Sequence, residues 1–153
     1  METLQTTVEP CEVTGISSIN IPILWEQITP FIQSALAHSE GEYWLADIYQ
    51  ALMYHKMQLW VVVRGEDLQA CLITEFRNFP RKKVCYIVLA AGTDVKEWTH
   101  CFEEIEQWAY EEGADLIQSY ARPGWKGLAE ERGYHVKYHL YCKELHLPDG
   151  ITH

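Results

Sequence analysis

Basic residues are scarce in this sequence of 153 residues. It contains 12 Lys and Arg against 22 Asp and Glu, a formal net charge of −10 with His neutral. Proteins that neutralise nucleic-acid phosphates need a basic face. The basic run Arg81-Lys82-Lys83 is too short to supply one, so we expect no nucleic-acid partner. The same charge balance disfavours binding to an anionic membrane surface.

Long apolar runs and paired cysteine motifs are also missing. No apolar run approaches the ~20 residues that a transmembrane helix needs. The N-terminus carries Glu2 and lacks the apolar stretch of a signal peptide. The five cysteines include no CxxC pair, and their odd number fits reduced core thiols better than a disulfide framework. These absences predict a cytoplasmic protein that does not span a membrane.

The composition that remains is that of an ordinary globular chain. It is 48% hydrophobic and 22% charged, and its length suits one domain with a sizeable core. We predict a single domain over residues 1–153. Residues 1–20 are expected to form an N-terminal edge strand or arm, and residues 147–153 a tail. Pro10 confines any strand over Val8–Thr14 to the sheet edge, because proline cannot donate to the ladder.

The stretch from Val84 to Tyr134 is predicted to organise the chain. A turn separates its first strand from a long amphipathic helix that ends at Gly113, and Asp94 with Glu97 is expected to cap that helix. A second strand and a short helix ending at Gly133 follow. The predicted elements are strand Val84–Ala90, turn Ala91–Asp94, helix Val95–Glu112, strand Ala114–Tyr120 and helix Pro123–Arg132.

Two helices and a hairpin are predicted before this stretch, and one strand after it. The helical pattern that starts at Pro22 either restarts or kinks at Pro30. The other predicted elements are helix Tyr43–His55, strands Leu59–Val63 and Leu68–Phe76, a loop over Asn78–Lys83, and a last strand Tyr134–His146. Hairpin strands are antiparallel, whereas strands joined by a helical crossover are parallel. We therefore predict an α/β (α+β) fold, with a mixed sheet of about six strands and helices on both faces.

The end of the chain reads Gly124-Trp125, Leu128, Gly133-Tyr134 and Lys143-Glu144-Leu145. Together with the order of elements, this ending resembles the GNAT superfamily of acyl-CoA-dependent N-acyltransferases, most strongly from Val84 to Leu145. The resemblance implies a GNAT-like domain that moves an acyl group from acetyl-CoA to an amine by direct attack. The same ending is also similar to GNAT-like proteins of tailed phages, some of which are virion components.

The resemblance implies a cofactor site along the Val84 strand and the turn after it. Pantetheine amides would pair with Ile87, Val88 and Leu89. An N–H group near Val88 or Leu89 would polarise the thioester carbonyl. The pyrophosphate would lie on a turn whose backbone donors and helix dipole favour an anion. That turn comprises Ala90, Ala91, Gly92, Thr93 and Asp94.

This sequence departs from the family pattern at three places. The family turn is Gln/Arg-x-x-Gly-x-Gly/Ala, but here Leu89 replaces the first residue and Asp94 the last small one. A carboxylate ~4 Å from a phosphate costs about 1 kcal/mol even at the dielectric constant of water. The family's general acid is a Tyr four residues before the final Gly, where this chain has Ala129. These departures weaken the prediction of activity more than that of the fold.

Glu75 and Tyr120 are the predicted catalytic residues. Glu75, late in its strand, is placed to act as a base through water, and its alternative role is that of a solvent-facing strand carboxylate beside Arg77. Tyr120, at a strand end, would protonate the leaving thiolate, and packing is its alternative role. Tyr86 is a weaker candidate. Cys85 as a nucleophile is less favoured than Cys85 as a core thiol.

A metal site is not expected. His135 and His139 share a predicted strand face, but no further ligand is suggested.

Two functions remain open from the sequence. The first is an N-acyltransferase that uses acetyl-CoA and acts on a small-molecule or protein amine, in the cytoplasm. The second is a non-catalytic GNAT-fold protein with a degenerate CoA site. One form of this second function is a phage virion or accessory component, which would bind virion proteins and occur in the host cytoplasm or the virion. The fold analogy alone does not decide between them.

Overall fold

The computed structural model describes residues 9–146, and its centre is one five-stranded sheet with strand order β1-β2-β3-β4-β5. Strands β1 to β4 pair antiparallel, and β4 pairs parallel with β5, as predicted for the crossover. The strands are β1 Glu12–Ile16, β2 Gln58–Arg64, β3 Asp67–Phe79, β4 Lys82–Gly92 and β5 Leu116–Ser119.

Four α-helices and three short 3₁₀ turns complete the described elements. The α-helices are α1 Ile21–Leu36, α2 Leu45–Met53, α3 Phe102–Glu111 and α4 Lys126–Glu131. The 3₁₀ turns are Val95–Glu97, Thr99–Cys101 and Pro123–Trp125. The predicted α/β class with a mixed sheet is confirmed, with five strands in place of about six.

The chain divides after Ala121 into two compact units. The first contains the whole sheet with α1, α2 and α3, and the second contains the turn at Pro123 and helix α4. The expectation of a single domain stays a prediction. The predicted tail lies outside the described residues, as does Val8.

Helix α1 runs through Pro30 without ending, so of the two predicted alternatives at that residue the restart is wrong and the kink stays a prediction. The Thr29 hydroxyl donates to the carbonyl of Trp25 at 2.7 Å, which satisfies one backbone acceptor in the turn before the proline. Ile28 and Ile32 are fully buried on either side of it. Burial of this apolar face therefore outweighs the hydrogen bond that proline removes.

The two faces of the sheet carry different helices. Leu59 and Val61 of β2 and Ile73 of β3 belong to the core formed with α1 and α2. The residues between them point the other way, and the Trp60 ring meets Trp108 of α3 edge-on at 4.8 Å. Strand residues alternate between faces, so both faces of the central strands are buried. This double burial explains their continuous apolar runs.

A buried polar chain satisfies the hydroxyl group at the centre of β3. Trp60 Nε1 donates to Thr74 Oγ1 at 3.0 Å, and Thr74 Oγ1 donates to Gln58 Oε1 at 2.9 Å. Thr74 is fully buried, so an unpaired hydroxyl there would be costly.

The β3–β4 hairpin is longer than the sequence predicted. Pairing continues to Phe79 opposite Lys82, so the predicted loop over Asn78–Lys83 is mostly strand and only Pro80-Arg81 forms the turn. At the other end, Gly92 pairs with Ala70, which corrects the predicted turn Ala91–Asp94. A Cβ atom on Gly92 would lie 2.4 Å from Ala70 Cβ and 2.6 Å from the Gln69 carbonyl oxygen. Glycine is therefore required there by close strand approach.

The predicted helix Val95–Glu112 is only partly an α-helix. Its first residues form two 3₁₀ turns, and α3 begins at Phe102. Asp94 has a φ of +50° and makes no capping hydrogen bond, so the predicted Asp94–Glu97 cap is wrong. The left-handed backbone of Asp94 does not fit a standard N-cap, whose residue lies in the β region. Gly113, with φ +89°, does occupy the predicted left-handed position.

The predicted last strand, Tyr134–His146, is wrong. The structure gives residues 134–146 no regular secondary structure, and Val136, Tyr138 and Leu140 are exposed. An alternating pattern identifies residues that would fit a half-buried strand, but a strand forms only where a partner takes its backbone hydrogen bonds. This segment accounts for the difference between six strands and five.

Gly92→Ala is expected to lower the free energy of unfolding by about 2–3 kcal/mol, because the new methyl group meets the backbone of β3, which cannot move aside. Chemical denaturation followed by circular dichroism measures this loss. Gly127→Ala is the control, since a Cβ atom there meets nothing within 4 Å. Equal stabilities for the two variants would contradict the close approach of β3 and β4.

Candidate functional site

The sheet opens between β4 and β5. Their pairing runs from Val84 opposite Leu116 to Ile87 opposite Ser119, where the Ser119 hydroxyl donates to the Ile87 carbonyl at 3.1 Å. Strand β4 then continues to Gly92, and in residues 9–146 no strand pairs with that edge. The backbone groups on this edge of β4 are therefore free to pair with an extended ligand.

A β-bulge lies at the same point. The register between β3 and β4 passes from Ile73–Leu89 to Thr74–Ile87, which leaves Val88 as the extra residue. Val88 and Leu89 consequently both pack against the core under α1 and α2, although neighbouring strand residues normally alternate. Bulges bend a strand and are frequent beside active sites. The bulge and the last β4–β5 pair coincide within one residue.

Five polar and aromatic side chains gather beside this opening. We call them the tyrosine cluster: Tyr43, Glu75, Arg77, Tyr86 and Tyr120. Glu75 is the cross-strand partner of Tyr86. The Arg77 guanidinium lies 3.6 Å from the centre of the Tyr86 ring and pairs with Glu75 Oε1 at 3.0 Å. The Tyr86 and Tyr120 rings meet edge-on at 5.4 Å.

Two phenols of the cluster are held in the neutral form. Burial raises the pKa of Tyr43, and the Glu75 carboxylate raises it further, while Arg77 lowers it. Burial also raises the pKa of Tyr86, against a backbone hydrogen bond from Tyr120 and the charge of Arg77. Both residues therefore keep their phenolic proton at neutral pH. Tyr43, in the loop between α1 and α2, is therefore close enough to Glu75 of β3 to interact with its charge.

The structure brings the two predicted catalytic residues, Glu75 and Tyr120, into one cluster. They are linked through Tyr86, to which the sequence gave less weight. The Glu75 side chain is 18% exposed, so it is not the solvent-facing carboxylate of the alternative reading, whereas Tyr120 is 66% exposed. Their catalytic roles stay predictions. The place of Tyr86 between the two residues follows from the strand register that pairs it with Glu75. That register cannot be predicted from the local sequence pattern.

The predicted cofactor residues differ in how well they fit coenzyme A. Val88 and Leu89 lie beyond the last β4–β5 pair, at the free edge of β4, which fits the amides of a pantetheine arm. Ile87 fits less well, because it pairs with Ser119 and its carbonyl accepts the Ser119 hydroxyl. Gly92 is paired with β3, and the Thr93 N–H donates to the Gln69 carbonyl at 3.2 Å. The Asp94 carboxylate and a 3₁₀ turn follow, in place of an α-helix N-terminus. Part of the backbone of Ala90–Asp94 is thus used in pairing with β3, and the helix N-terminus that favours an anion does not follow it; its role in holding the pyrophosphate stays a prediction.

A cation from strand β2 contacts the 3₁₀ turn that follows Asp94. Arg64, at the end of β2, pairs with Glu97 at 3.4 Å, and its buried Nε atom has no hydrogen-bond partner in the described part of the chain. The sequence had suggested that the turn lacks a cation, since Leu89 stands where the family has Gln or Arg. No spacing rule connects Arg64 with Glu97, so only the fold reveals this neighbour.

Other chemistries find little support in the described residues. Burial raises the pKa of the Cys85 thiol to about 11, so this fully buried group is protonated at neutral pH and reads as a core thiol. Within residues 9–146, no group of three or more His, Cys, Asp or Glu side chains is placed to hold a metal ion. None of the helices described is long and apolar enough to cross a membrane.

Solved acetyltransferases share this fold. An aminoglycoside acetyltransferase from an uncultured soil metagenomic sample, solved with sisomicin, aligns with a TM-score of 0.61 at 11% identity, over 88% of this chain and 97% of its own. A possible acetyltransferase from Clostridium difficile 630 aligns with a TM-score of 0.65 at 15% identity, over 91% and 100% of the two chains. A predicted acetyltransferase from Clostridium acetobutylicum, solved with acetyl-CoA, gives 0.64 at 11% identity, over 88% and 96%.

These similarities establish the fold, which is that of GNAT-type acetyltransferases. No protein-family model matches the sequence, and no curated protein matches it significantly. At identities of 10–15% the shared fold does not carry the activity with it.

Proposed function

We propose that this chain is an N-acyltransferase that transfers an acetyl group from acetyl-CoA to an amine by direct attack. The observation that carries the proposal is the coincidence of the Val88 bulge with the last β4–β5 pair at Ile87–Ser119. A free strand edge beside a polar cluster offers both a binding surface for a thioester arm and groups that move protons. The acetyl-CoA complex of a similar fold supports the choice of donor.

The edge of β4 would hold the donor. Backbone groups of Val88 and Leu89 would pair with the pantetheine amides, and an N–H group of one of these two residues would donate to the acyl oxygen. Such a donor stabilises the oxyanion that develops during attack. The bound donor supplies a thioester carbonyl. Because Ala90–Asp94 is a poor pyrophosphate cradle, we expect the affinity to come mainly from the strand edge.

Proton transfer falls to the tyrosine cluster. Glu75 would accept the proton of the acceptor ammonium through a water molecule, and Tyr120 would protonate the departing thiolate. Tyr86 is neutral at physiological pH and holds the position of Arg77 and of the Tyr120 ring. The acceptor would be a small-molecule or protein amine, and the protein would act in the cytoplasm.

A second candidate function is a non-catalytic GNAT-fold protein. The structure of the turn favours it, because Gly92 and the Thr93 N–H serve the β3–β4 pairing and Asp94 adds a negative charge. Position 129, where the family has its general-acid tyrosine, is Ala129, and this also favours a non-catalytic protein. A role as a phage virion or accessory component, bound to virion proteins, stays a prediction.

Acetyl-CoA titration separates the two functions. A catalytic protein binds acetyl-CoA and is stabilised by it, by about 2.7 kcal/mol at a concentration of a hundred times Kd. Isothermal titration calorimetry and thermal unfolding measure this, with desulfo-CoA as the competitor and ADP as the control for binding through the nucleotide alone. No heat and no shift of Tm at millimolar acetyl-CoA would exclude the acyltransferase.

Asp94→Asn is expected to tighten acetyl-CoA binding about fivefold at low salt, because it removes a like charge worth about 1 kcal/mol beside the phosphates. Asparagine also tolerates the left-handed backbone at this position. Calorimetry at two salt concentrations measures the change, which screening should reduce at the higher one. Asp94→Glu keeps the charge and serves as the control. An unchanged affinity for Asp94→Asn would show that the phosphates do not approach Asp94.

A further inference from the structure

We infer that the acceptor is a free α-amino acid, bound as a zwitterion by the Glu75–Arg77 pair. This inference rests on the proposed function and names its substrate class. An α-amino acid carries an ammonium and a carboxylate on the same carbon atom. The tyrosine cluster presents the complementary charges side by side, at the place where β4 and β5 separate.

In the part of the chain that the structure describes, the Glu75–Arg77 ion pair leaves one oxygen of the carboxylate and one nitrogen of the guanidinium without a partner. Arg77 Nε and Arg77 Nη2 contact the same oxygen, Glu75 Oε1, at 3.1 and 3.0 Å. A forked arginine–carboxylate pair normally uses both carboxylate oxygens. Here, within the described residues, Glu75 Oε2 and Arg77 Nη1 make no hydrogen bond. An incoming ammonium would bind Oε2, and an incoming carboxylate would bind the free guanidinium donors.

The guanidinium is already fixed in place. Its central carbon, Cζ, lies over the Tyr86 ring, 3.6 Å from the ring centre, and the Arg77 side chain is 37% exposed, so the guanidinium is both restrained and accessible to a ligand. Stacking on an aromatic face orients arginine and leaves its edge donors available. A group that is held before binding loses little side-chain entropy when a carboxylate arrives. The pair is therefore better prepared for recognition than a freely moving surface arginine.

Local charge favours a zwitterion over a polycation. Among residues 9–146, Arg77 is the one cation that shifts the pKa of Tyr43 and Tyr86, and it is paired with Glu75. A second carboxylate, Glu42, also raises the pKa of Tyr43. A polyamine would meet the positive Arg77 directly beside Glu75. A zwitterion satisfies both charges and leaves no unpaired ion. The overall charge of −10 attracts cations to the surface as a whole, without selecting this position.

The exposed ring of Tyr120 suggests the kind of side chain. It stands edge-on to Tyr86 at the end of β5 and offers an apolar face to solvent. Aromatic pairs contribute beyond simple area burial. An aromatic amino acid therefore fits the cluster better than a small or charged one, and phenylalanine is the simplest probe.

The test compares phenylalanine with 2-phenylethylamine, which is the same molecule without the carboxylate. Thiol release from saturating acetyl-CoA gives kcat/KM for each amine. We expect phenylalanine to be favoured at least about tenfold, since a hydrogen bond to a charged group is worth that much. Arg77→Gln should lower the ratio of kcat/KM for phenylalanine to kcat/KM for 2-phenylethylamine about tenfold or more, because only phenylalanine loses a partner for its carboxylate. Arg81→Gln, in the β3–β4 turn, is the matched control and should leave the ratio unchanged.

The outcomes separate the inference from the function on which it rests. Acetylation of 2-phenylethylamine or spermidine, with phenylalanine equal or worse, would overturn the inference and leave the acyltransferase standing. Absence of acetyl-CoA binding would overturn both. The comparison of the two amines needs only the unmodified protein, so a folding defect in Arg77→Gln, seen by circular dichroism, would not remove the test.

Discussion

The antiparallel pairing of β3 with β4 is the constraint on which the rest of the structure depends. These are the two longest strands, and their register shifts by one residue between Ile73 and Thr74. The shift places Val88 and Leu89 on the same face, at the point where the β4–β5 pairing ends. It also pairs Glu75 with Tyr86, which lets Arg77 lie on the Tyr86 ring. The strand opening and the tyrosine cluster thus follow from one backbone irregularity.

The same pairing limits what the turn after β4 can do. Residues up to Gly92 remain in the ladder with β3, so the glycine is used for close packing and the Thr93 N–H for a strand-end hydrogen bond. A turn committed in this way has fewer donors for an anion than a free loop–helix junction. The molecule therefore combines a strand edge suited to a thioester arm with a weak place for its phosphates. An enzyme built on it would rely on the strand edge and on Arg77.

Much of the fold could be predicted from local patterns. The apolar period after Gly92 identified α3, and the left-handed glycine at position 113 marked its end. The order of elements identified the mixed sheet and its parallel crossover. Features that depend on pairing were missed: the long hairpin to Phe79, the bulge at Val88 and the missing strand over residues 134–146. Glu75 and Tyr120 were identified separately, but register alone shows that Tyr86 and Arg77 join them.

Hydrogen exchange of the β4 backbone amides tests the central claim most directly, because it reports on the proposed strand edge itself. Exchange at Val88, Leu89 and Ala90 would be followed by NMR with and without saturating acetyl-CoA, using the amides of β1 as the internal reference. The account predicts slower exchange at one or more of these three residues when acetyl-CoA is bound, with β1 unchanged. Unchanged exchange along β4, at concentrations where calorimetry records binding, would show that the ligand binds elsewhere and would contradict the account.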